Sequence, residues 1–271
     1  MPRKPVLDRF KNTVAVVTGG SSGIGRACVE ELCREGAAVA FTGLSTVGVN
    51  TEAELKQSGH DVLFLQGDMA DESFCKHTVS ATLARWGKIN YLVNNAFSFT
   101  AKGLDSTHGD WERVLFAGPV AYAQMVQLVV PSMKEQGGGA IVNMSSISAF
   151  IAQPNRWTYN AAKGAVHTLT KCMALDLAPF RIRVNSVSPA WIWTREVDKA
   201  AQGDRAKWEP VWGTFHMLER CGEPVECAGP VLFLLSDDAS FVTAADLAID
   251  GGYQGLGSEG LGRQSSFAGS F

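Results

Sequence analysis

The sequence predicts an α/β fold, and three observations support this prediction. Short β-branched runs alternate with amphipathic stretches along most of the chain. A glycine-rich turn at residues 19–25 joins the first run to the first amphipathic stretch. A later apolar run, residues 140–142, leads to Ser146, whose hydroxyl would lie at the carboxyl end of a strand, where α/β sheets bind ligands. We therefore expect one doubly wound α/β domain.

Composition and charge indicate a globular chain with one core. The 271 residues are 46% hydrophobic and 19% charged, which favours a single domain. The net charge of −3 gives no electrostatic reason to expect nucleic acid or an anionic membrane as a partner. No run approaches the ~18 apolar residues of a spanning helix, and residues 1–12 lack the apolar core of a secretory signal. We therefore expect a cytoplasmic protein without membrane contact.

The six cysteines show neither a C-x-x-C pair nor metal-ligand spacing, so we expect no metal site. Cys28, Cys33 and Cys172 fall within helical apolar patterns, which predicts that they are buried free thiols.

The glycine-rich turn indicates a phosphate-binding loop. Residues 13–18 predict a strand, and residues 26–34 predict a helix. Glycines between a strand and a helix let the backbone approach a pyrophosphate, which the helix N-terminus attracts by its partial positive charge. Any tight turn recruits glycine, but the position at the start of a βαβ pattern favours phosphate binding.

The end of the second predicted strand, residues 37–42, concerns the choice of dinucleotide. Folds that bind NAD usually place a carboxylate there to hold the ribose 2′-hydroxyl, whereas this sequence has Gly43. No Arg or Lys stands there or at Ser22, so a 2′-phosphate would lack a cation, and NAD is slightly favoured over NADP. The alternative is an anion-binding nest of backbone amides and hydroxyls such as that of Ser45.

Acidic residues follow the third predicted strand, residues 61–66. Asp68 is in a position to receive the adenine amino group. A capping role at the start of the next helix, which runs to Trp86, is equally open to Asp68 or Asp71.

The fourth predicted strand, residues 89–93, runs into two asparagines. We expect Asn94 to brace neighbouring strands and Asn95 and Ala96 to line the cofactor, although adjacent asparagines are often simple turn formers.

A long helix is predicted over residues 110–133, with an interruption at Gly118 and Pro119. Proline has no N–H and frees the carbonyl four residues before it, here that of Leu115. We expect a kink there and a water molecule on the freed carbonyl.

Tyr159 and Lys163 lie four residues apart on a predicted helix, residues 158–177. Side chains at this spacing share one helix face, so the phenol and the ammonium point into one space. A neighbouring cation favours the ionised phenol, which makes Tyr159 usable as an acid or base near neutral pH. The pair alone would more often be a solvated helix face; the hydroxyl of Ser146 and the glycine-rich turn favour catalysis.

The rest of the chain completes the alternating pattern. The segment at residues 189–217 carries four of the seven tryptophans and is expected to be a binding loop with one short helix, at residues 194–201. Residues 254–271 are rich in Gly and Ser, and they form either a frayed tail or an arm that docks on a neighbouring subunit. The other predicted elements are strands at residues 182–187 and 246–250 and a helix at residues 224–235.

From about residue 11 to residue 253 the chain resembles the short-chain dehydrogenases/reductases. The motifs that carry the resemblance are Thr18-Gly19 with Gly23 and Gly25, Asp68, Asn94-Asn95-Ala96, Ser146, Tyr159, Lys163 and Pro189. The resemblance implies one NAD(P)-binding Rossmann-like catalytic domain over residues 1–253, built on a seven-stranded parallel sheet with helices on both faces. It also implies hydride transfer and a homo-oligomer, a tetramer or dimer assembled through the two long helices.

The resemblance also implies roles for single residues. Tyr159 would be the acid/base, Lys163 would hold the nicotinamide ribose and lower the pKa of Tyr159, and Ser146 would donate to the substrate oxygen. The cofactor-binding residues would be Gly19, Ser21, Ser22, Gly23, Ile24, Gly43, Leu44, Ser45, Asp68, Met69, Asn95, Ala96, Tyr159, Lys163, Pro189, Ile192 and Thr194.

Two positions depart from the family pattern. Phe97 replaces a glycine after the asparagines, and Gly118 replaces an asparagine whose carbonyl holds a water in a proton relay. We hypothesise that backbone carbonyls and water preserve the relay; if it is instead broken, Gly118→Asn should raise turnover.

Aromatic residues and one arginine indicate the substrate class. The expected substrate residues are Phe97, Arg156, Trp157, Trp191 and Trp193. Flat apolar walls with a guanidinium suit a cyclic polar alcohol, such as a sugar or polyol with an anionic group. The alternatives are an alicyclic or aromatic alcohol, a 3-oxoacyl-type substrate, or a dinucleotide-binding regulatory protein without catalysis.

Overall fold

The computed structural model describes residues 3–257 and residue 260. Seven strands form one parallel sheet: β1 (Val14–Val17), β2 (Ala38–Gly43), β3 (Val62–Gln66), β4 (Tyr91–Asn94), β5 (Gly139–Met144), β6 (Ile182–Pro189) and β7 (Asp246–Ile249). Their order is β3-β2-β1-β4-β5-β6-β7, so the chain reverses direction across the sheet between β3 and β4. This reversal places the ligand crevice at the carboxyl ends of β1 and β4.

Nine α-helices connect or flank the strands of the described chain. They are α1 (Gly23–Arg34), α2 (Val47–Gln57), α3 (Glu72–Trp86), α4 (His108–Leu115), α5 (Ala121–Glu135), α6 (Trp157–Leu177), α7 (Arg195–Ala200), α8 (Arg205–Gly213) and α9 (Pro224–Leu235). The sequence did not lead us to expect α2 and α8.

The two faces of the sheet are covered by different helices. Along β1, Ala15 and Val17 pack with α1 and α9, whereas Val16 packs with α3, α5 and α6. Consecutive strand residues point to opposite faces, so a run that is apolar at every position is buried on both sides. The predicted Rossmann-like α/β fold, with a seven-stranded parallel sheet and helices on both faces, is confirmed.

The long predicted helix is divided at Gly118 and Pro119, as expected. A π-helical segment, Phe116–Val120, joins α4 to α5, and Gly118 has non-helical backbone angles. By length and apolar composition alone, the 28 residues His108–Glu135 would suffice to cross a membrane, which the sequence reading did not anticipate. Half of the apolar window is buried inside the protein, as in the core helix of a globular domain.

The N-terminal segment is fixed to α1 by a buried carboxylate. Glu35 is fully buried, and its oxygens accept from Arg3 at 2.5 Å, from Arg9 at 2.6 Å and from the N–H of Val6 at 3.0 Å. Burial alone would raise the pKa of Glu35, but the hydrogen bonds from Arg9, Val6 and Arg3 and the charge of Arg9 outweigh it and hold this pKa below its usual value.

The prediction that the cysteines in helical patterns are buried is wrong for one of them. Five are buried free thiols, whereas Cys172 is exposed on α6. The apolar pattern of α6 did not show which side of the helix meets the core. The Gly/Ser-rich tail lies mostly outside the described residues; its described part contains the short 3₁₀ helix Tyr253–Gly255.

Candidate active site

Two adjoining cavities open at the carboxyl ends of the strands. We call the first the nucleotide cleft; of the predicted cofactor residues it is lined by Gly19, Ser21, Ser22, Gly23, Ile24, Gly43, Leu44, Ser45, Asp68, Met69, Asn95, Ala96 and Thr194. The second, the catalytic cavity, has a volume of about 270 Å³ and is lined by Ser146, Tyr159, Lys163, Pro189 and Ile192. The structure thus brings together every residue expected to bind the cofactor or catalyse the reaction.

The glycine-rich turn is held in place from β4. The Asn95 side chain donates to the carbonyls of Thr18 at 2.9 Å and Gly19 at 3.1 Å, and the Thr18 hydroxyl accepts the N–H groups of Asn95 and Ala96. A Cβ atom at Gly25 would lie 2.3 Å from the Gly19 carbonyl oxygen, so only glycine permits this approach. The turn is therefore rigid before any ligand binds.

The N-terminus of α1 suits a pyrophosphate. Gly23 has a φ of +57°, and Ser22 makes no side-chain cap, so the first-turn N–H groups face the cleft without a side-chain acceptor from the N-cap. The residues present therefore fit a dinucleotide.

Among the described residues, those at the end of β2 that line the cleft carry no charge. At the end of β2 the cleft is lined by Gly43, Leu44 and Ser45, as the sequence indicated. The Asp68 carboxylate also lines the cleft, where it pairs with Arg113 of α4. This arginine was not found from the sequence, because nothing in the pattern places the last turn of a later helix beside the end of β3.

The role of Asp68 as a cap is not seen. Its carboxylate accepts the N–H of Ala70 at 3.0 Å, whereas Asp71 caps α3 by accepting from the N–H of Ser73 at 2.8 Å. The expected brace at the fourth strand is present, because Asn94 donates to the Asn143 side chain at 3.0 Å.

Ser146, Tyr159 and Lys163 meet in the catalytic cavity. The Ser146 oxygen donates to the Ser148 hydroxyl at 3.2 Å and accepts the Ser148 N–H at 3.2 Å. Lys163 donates from Nζ to the Met144 carbonyl at 2.7 Å. Ser146 lies just beyond β5, and the other two lie on one face of α6, as the four-residue spacing predicts.

The acidities of the pair differ from the sequence expectation. Burial raises the pKa of Tyr159, while the Ser146 hydroxyl and the positive charge of Arg156 lower it partway back. Burial lowers the pKa of Lys163 to about 7. The expected depression of the Tyr159 pKa by Lys163 is therefore not seen; burial without an opposite charge penalises both ionised forms.

Phe97 lies beside Lys163. The lysine Nζ is 3.7 Å from the centre of the Phe97 ring. The same ring fills the space in front of Gly118, where an added Cβ atom would lie 2.5 Å from ring atom Cε2. The Gly118 carbonyl accepts the N–H of Ala121. An asparagine at residue 118 would therefore require the Phe97 ring to move, which the sequence alone did not show when it suggested Gly118→Asn.

Three of the five expected substrate residues line the catalytic cavity: Phe97, Arg156 and Trp191. Trp157 does not, since it lies at the start of α6 with 54% of its surface exposed. Trp193 does not line it either; it packs with Trp212 in the aromatic cluster under α7 and α8. The sequence placed these tryptophans near the site but could not show which way they face.

The cavity also contains polar residues that the sequence gave no reason to choose. Those of chemical interest are Gln153, which accepts from the Ser148 hydroxyl at 2.6 Å, and Glu196 of α7, which lines both cavities. Phe99 lines both cavities as well and packs on the Tyr159 ring at 4.8 Å between centroids.

A nucleotide cleft that opens onto a half-buried tyrosine and a buried lysine is the arrangement of a dinucleotide-dependent dehydrogenase or reductase. In agreement, the sequence model of a family described as enoyl-(acyl carrier protein) reductase matches residues 19–254. The chain belongs to the short-chain dehydrogenase/reductase family.

Individual relatives extend over nearly the whole chain. Cyclopentanol dehydrogenase of Comamonas sp. (strain NCIMB 9872) is 36% identical over 252 residues, which are 91% of this chain and 99% of that protein. The NADP-dependent (R)-specific alcohol dehydrogenase of Lentilactobacillus kefiri is 36% identical over 92% of this chain and 99% of its own length. The ligand-free structure of aldohexose dehydrogenase from Thermoplasma acidophilum superposes with a TM-score of 0.85, at 32% identity, over 93% of this chain and 98% of that chain.

Proposed function

We propose that the protein is an NAD(P)-dependent oxidoreductase that interconverts a secondary alcohol and a ketone on a cyclic polar substrate, such as a sugar or polyol with an anionic group. The observation that carries this proposal is the catalytic cavity, in which Ser146, Tyr159 and Lys163 adjoin the nucleotide cleft. A bound nicotinamide would supply or accept the hydride.

Three side chains of the protein carry out the proton transfer in this proposal. Tyr159 takes the proton of the alcohol during oxidation or gives one to the carbonyl oxygen during reduction. Ser146 donates a hydrogen bond to the same oxygen as its negative charge develops. Lys163, whose Nζ lies 5.7 Å from the centre of the Tyr159 ring, would hold the nicotinamide ribose and is the next proton carrier behind Tyr159.

The walls of the cavity support a ring-shaped substrate. Phe97, Phe99 and Trp191 present flat apolar surfaces, which suit an alicyclic ring or the CH face of a sugar. Two of the relatives carry names that specify a cyclic substrate, cyclopentanol and an aldohexose.

Arg156 supports an anionic group on that ring. Its guanidinium lies 5.5 Å from the centres of both the Phe99 and the Trp191 rings. Among the residues that the structure describes, no carboxylate pairs with Arg156, although Glu196 lines the same cavity. A partly buried guanidinium without an anion favours a ligand that supplies one, by paired hydrogen bonds.

The experiment compares cyclic alcohols with and without a ring carboxylate, using wild type and Arg156→Gln. In Arg156→Gln we expect kcat/KM for the ring carboxylate to fall about 10- to 100-fold relative to kcat/KM for the neutral alcohol. The reason is that a charge-assisted hydrogen bond contributes about 1.5–3 kcal/mol. The ratio of the two substrates cancels any effect of Arg156 on Tyr159. Arg156→Lys keeps the charge, so its ratio of kcat/KM values for the two substrates should lie between the ratios of the wild type and of Arg156→Gln. An unchanged ratio would contradict the anionic substrate.

The alternative substrate class is a neutral alicyclic or aromatic alcohol, which the apolar walls also favour, and a 3-oxoacyl-type ketone is a further alternative. If the wild type turns over neutral rings faster than ring carboxylates, the neutral alcohol is favoured as the substrate.

The same proposal includes a slight preference for NAD over NADP. No cation among the described residues lies at Gly43, Leu44 or Ser45, where a 2′-phosphate would need one. Arg195 also lines the cleft, and one relative is named as NADP-dependent. Fluorescence titration with NADH and NADPH tests this preference, and tighter binding of NADPH would reverse it. We further propose a cytoplasmic homo-oligomer.

A further inference from the structure

Phe97 contacts both side chains of the proton path. Its ring centre is 3.7 Å from Lys163 Nζ, and the ring meets Tyr159 edge to face at 5.5 Å between centroids. It also meets the buried Tyr122 of α5 at 6.3 Å. The ring therefore lies between the catalytic helix α6 and the α4–α5 helix.

The ring and Gly118 exclude any side chain between them. A Cβ atom at Gly118 would lie 2.5 Å, 2.9 Å and 3.2 Å from three atoms of the Phe97 ring. Contacts below 3.0 Å are forbidden between carbon atoms, so one of the two residues would have to move. Because Gly118 and Pro119 are both buried, the backbone has no free space into which it can retreat.

Lys163 has no opposite charge to stabilise its ammonium form. Its Nζ makes one hydrogen bond, to the Met144 carbonyl, and no carboxylate in the described part of the chain forms an ion pair with it. The titratable and charged groups around it are Tyr159 on its own helix, Arg156 just before that helix, Tyr122 on α5 and Glu196, which lines the same cavity. A ring face attracts a desolvated cation through its quadrupole.

We propose that Phe97 is a positioning residue, which holds the Lys163 amine with its ring face and requires glycine at position 118, so that the lysine has no polar support from the α4–α5 helix. This inference rests on the proposed function only for its consequence, proton transfer. The ring contact itself is a property of the protein without substrate or dinucleotide.

The first test measures the titration of Lys163 in the protein without dinucleotide, by NMR of lysine labelled with ¹³C at Cε. Burial lowers the pKa of Lys163 to about 7, well below the value of about 10.4 that is usual for a lysine side chain. Phe97→Leu keeps an apolar side chain but removes the ring face. We expect the midpoint to fall by about half a unit to one unit, as the loss of a desolvated cation–π contact implies.

The matched control is Phe99→Leu. Phe99 packs on Tyr159 and lines the same cavity, but its ring makes no close contact with Lys163. Its replacement should leave the Lys163 midpoint unchanged. An unchanged or raised midpoint in Phe97→Leu, or an equal fall in Phe99→Leu, would overturn the proposal. Neither result depends on the substrate, so the outcome is separate from that of the proposed function.

The second test concerns the pairing with Gly118. Gly118→Asn alone should lower the melting temperature by several degrees, and the added replacement Phe97→Gly should recover most of that loss by vacating the space. With a substrate in hand, the double variant should also exceed Gly118→Asn in kcat at least tenfold. The proposed pairing is wrong if Gly118→Asn melts at the same temperature as the wild type. It is also wrong if the double variant loses the sum of the decreases in melting temperature of Gly118→Asn and Phe97→Gly.

Discussion

At the scale of single residues, the acidity of Tyr159 decides how the reaction responds to pH. Burial raises the pKa of this phenol, and the Ser146 hydroxyl and the Arg156 charge oppose that rise. Oxidation of an alcohol requires the phenolate as base, whereas reduction of a ketone requires the phenol as acid. Oxidation should therefore gain rate as pH rises towards the Tyr159 pKa, and reduction should keep its rate until that pKa is passed.

Removing either group that lowers the pKa should move both profiles to higher pH. We expect Ser146→Ala and Arg156→Gln to shift the alkaline rise of kcat/KM for oxidation upward. Tyr159→Phe should reduce kcat about 10²- to 10⁴-fold while dinucleotide binding, followed by fluorescence, is retained. A shift to lower pH in both variants would show that another group controls the profile.

The structure brings the residues predicted to be catalytic or cofactor-binding to the two adjoining cavities, because the place of each follows from its position relative to a strand end or a helix face. Tyr159 and Lys163 share a face through their spacing alone. The predicted placement of Trp157 and Trp193 in the substrate site was wrong, because the direction of a side chain at a helix start or in a loop depends on how that element is rotated in the fold. Phe97 was placed at the site correctly, but its contact with Gly118 joins two elements and cannot be derived from either.

At the scale of elements, the pair of Arg9 and Glu35 holds the N-terminal segment on α1. We expect Arg9→Leu to lower the free energy of unfolding by about 3 kcal/mol at neutral pH, because a buried carboxylate loses a cation. Urea unfolding measures this loss. The control is Arg26→Leu, also at α1, whose ion pairs with Glu30 and Glu54 are exposed and should contribute at most about 1 kcal/mol.

The effect of Arg9 should depend on pH in a defined direction. The pKa of Glu35 is lowered in the folded state, so the stability that it provides is complete above its unfolded pKa, about 4.3. That stability is lost as pH falls through the folded pKa. The difference between Arg9→Leu and wild type should therefore narrow in acid; a difference that widens would contradict the ion-pair explanation.

Helix α2, one of the two helices not expected from the sequence, shows why hydrophobic periodicity fails where a helix packs closely on a strand. The buried face of α2 is formed by Gly48, Thr51 and Leu55. These residues have the helical spacing, but two of the three are not hydrophobic. A Cβ atom at Gly48 would lie 2.0 Å from the Phe64 ring, so the helix lies directly against β3. A small residue that permits contact leaves no apolar signal in the sequence.

At the scale of the whole molecule, exposed apolar residues on the long helices are consistent with the proposed homo-oligomer. Leu175 of α6 is 76% exposed, and Phe116 at the α4–α5 kink is 49% exposed. We expect light scattering to give the mass of a dimer or tetramer and Leu175→Glu to reduce it, because a buried charge opposes the interface. Leu104→Glu, on a loop residue that is 88% exposed, should leave the mass unchanged. A monomeric wild type would contradict the proposal.

The architecture of the whole domain was accessible from the sequence only in part. The alternation of strands and helices defined the α/β class and the single core. The parallel order of the strands followed from the family resemblance and not from any local pattern, since strand order is a property of long-range pairing. The same limit applies to the loop after β6. Its composition predicted a binding loop, but its second helix, α8, appeared only in the structure.

Cys172 makes this molecule convenient to label. All six cysteines lie in the described part of the chain, and it alone among them is exposed. Burial raises the pKa of Cys28 and of Cys33 to about 12, so those thiols remain unreactive towards maleimides at neutral pH. A single fluorophore would therefore attach on α6, three residues before Leu175, and energy transfer between dyes on different subunits would report their assembly directly.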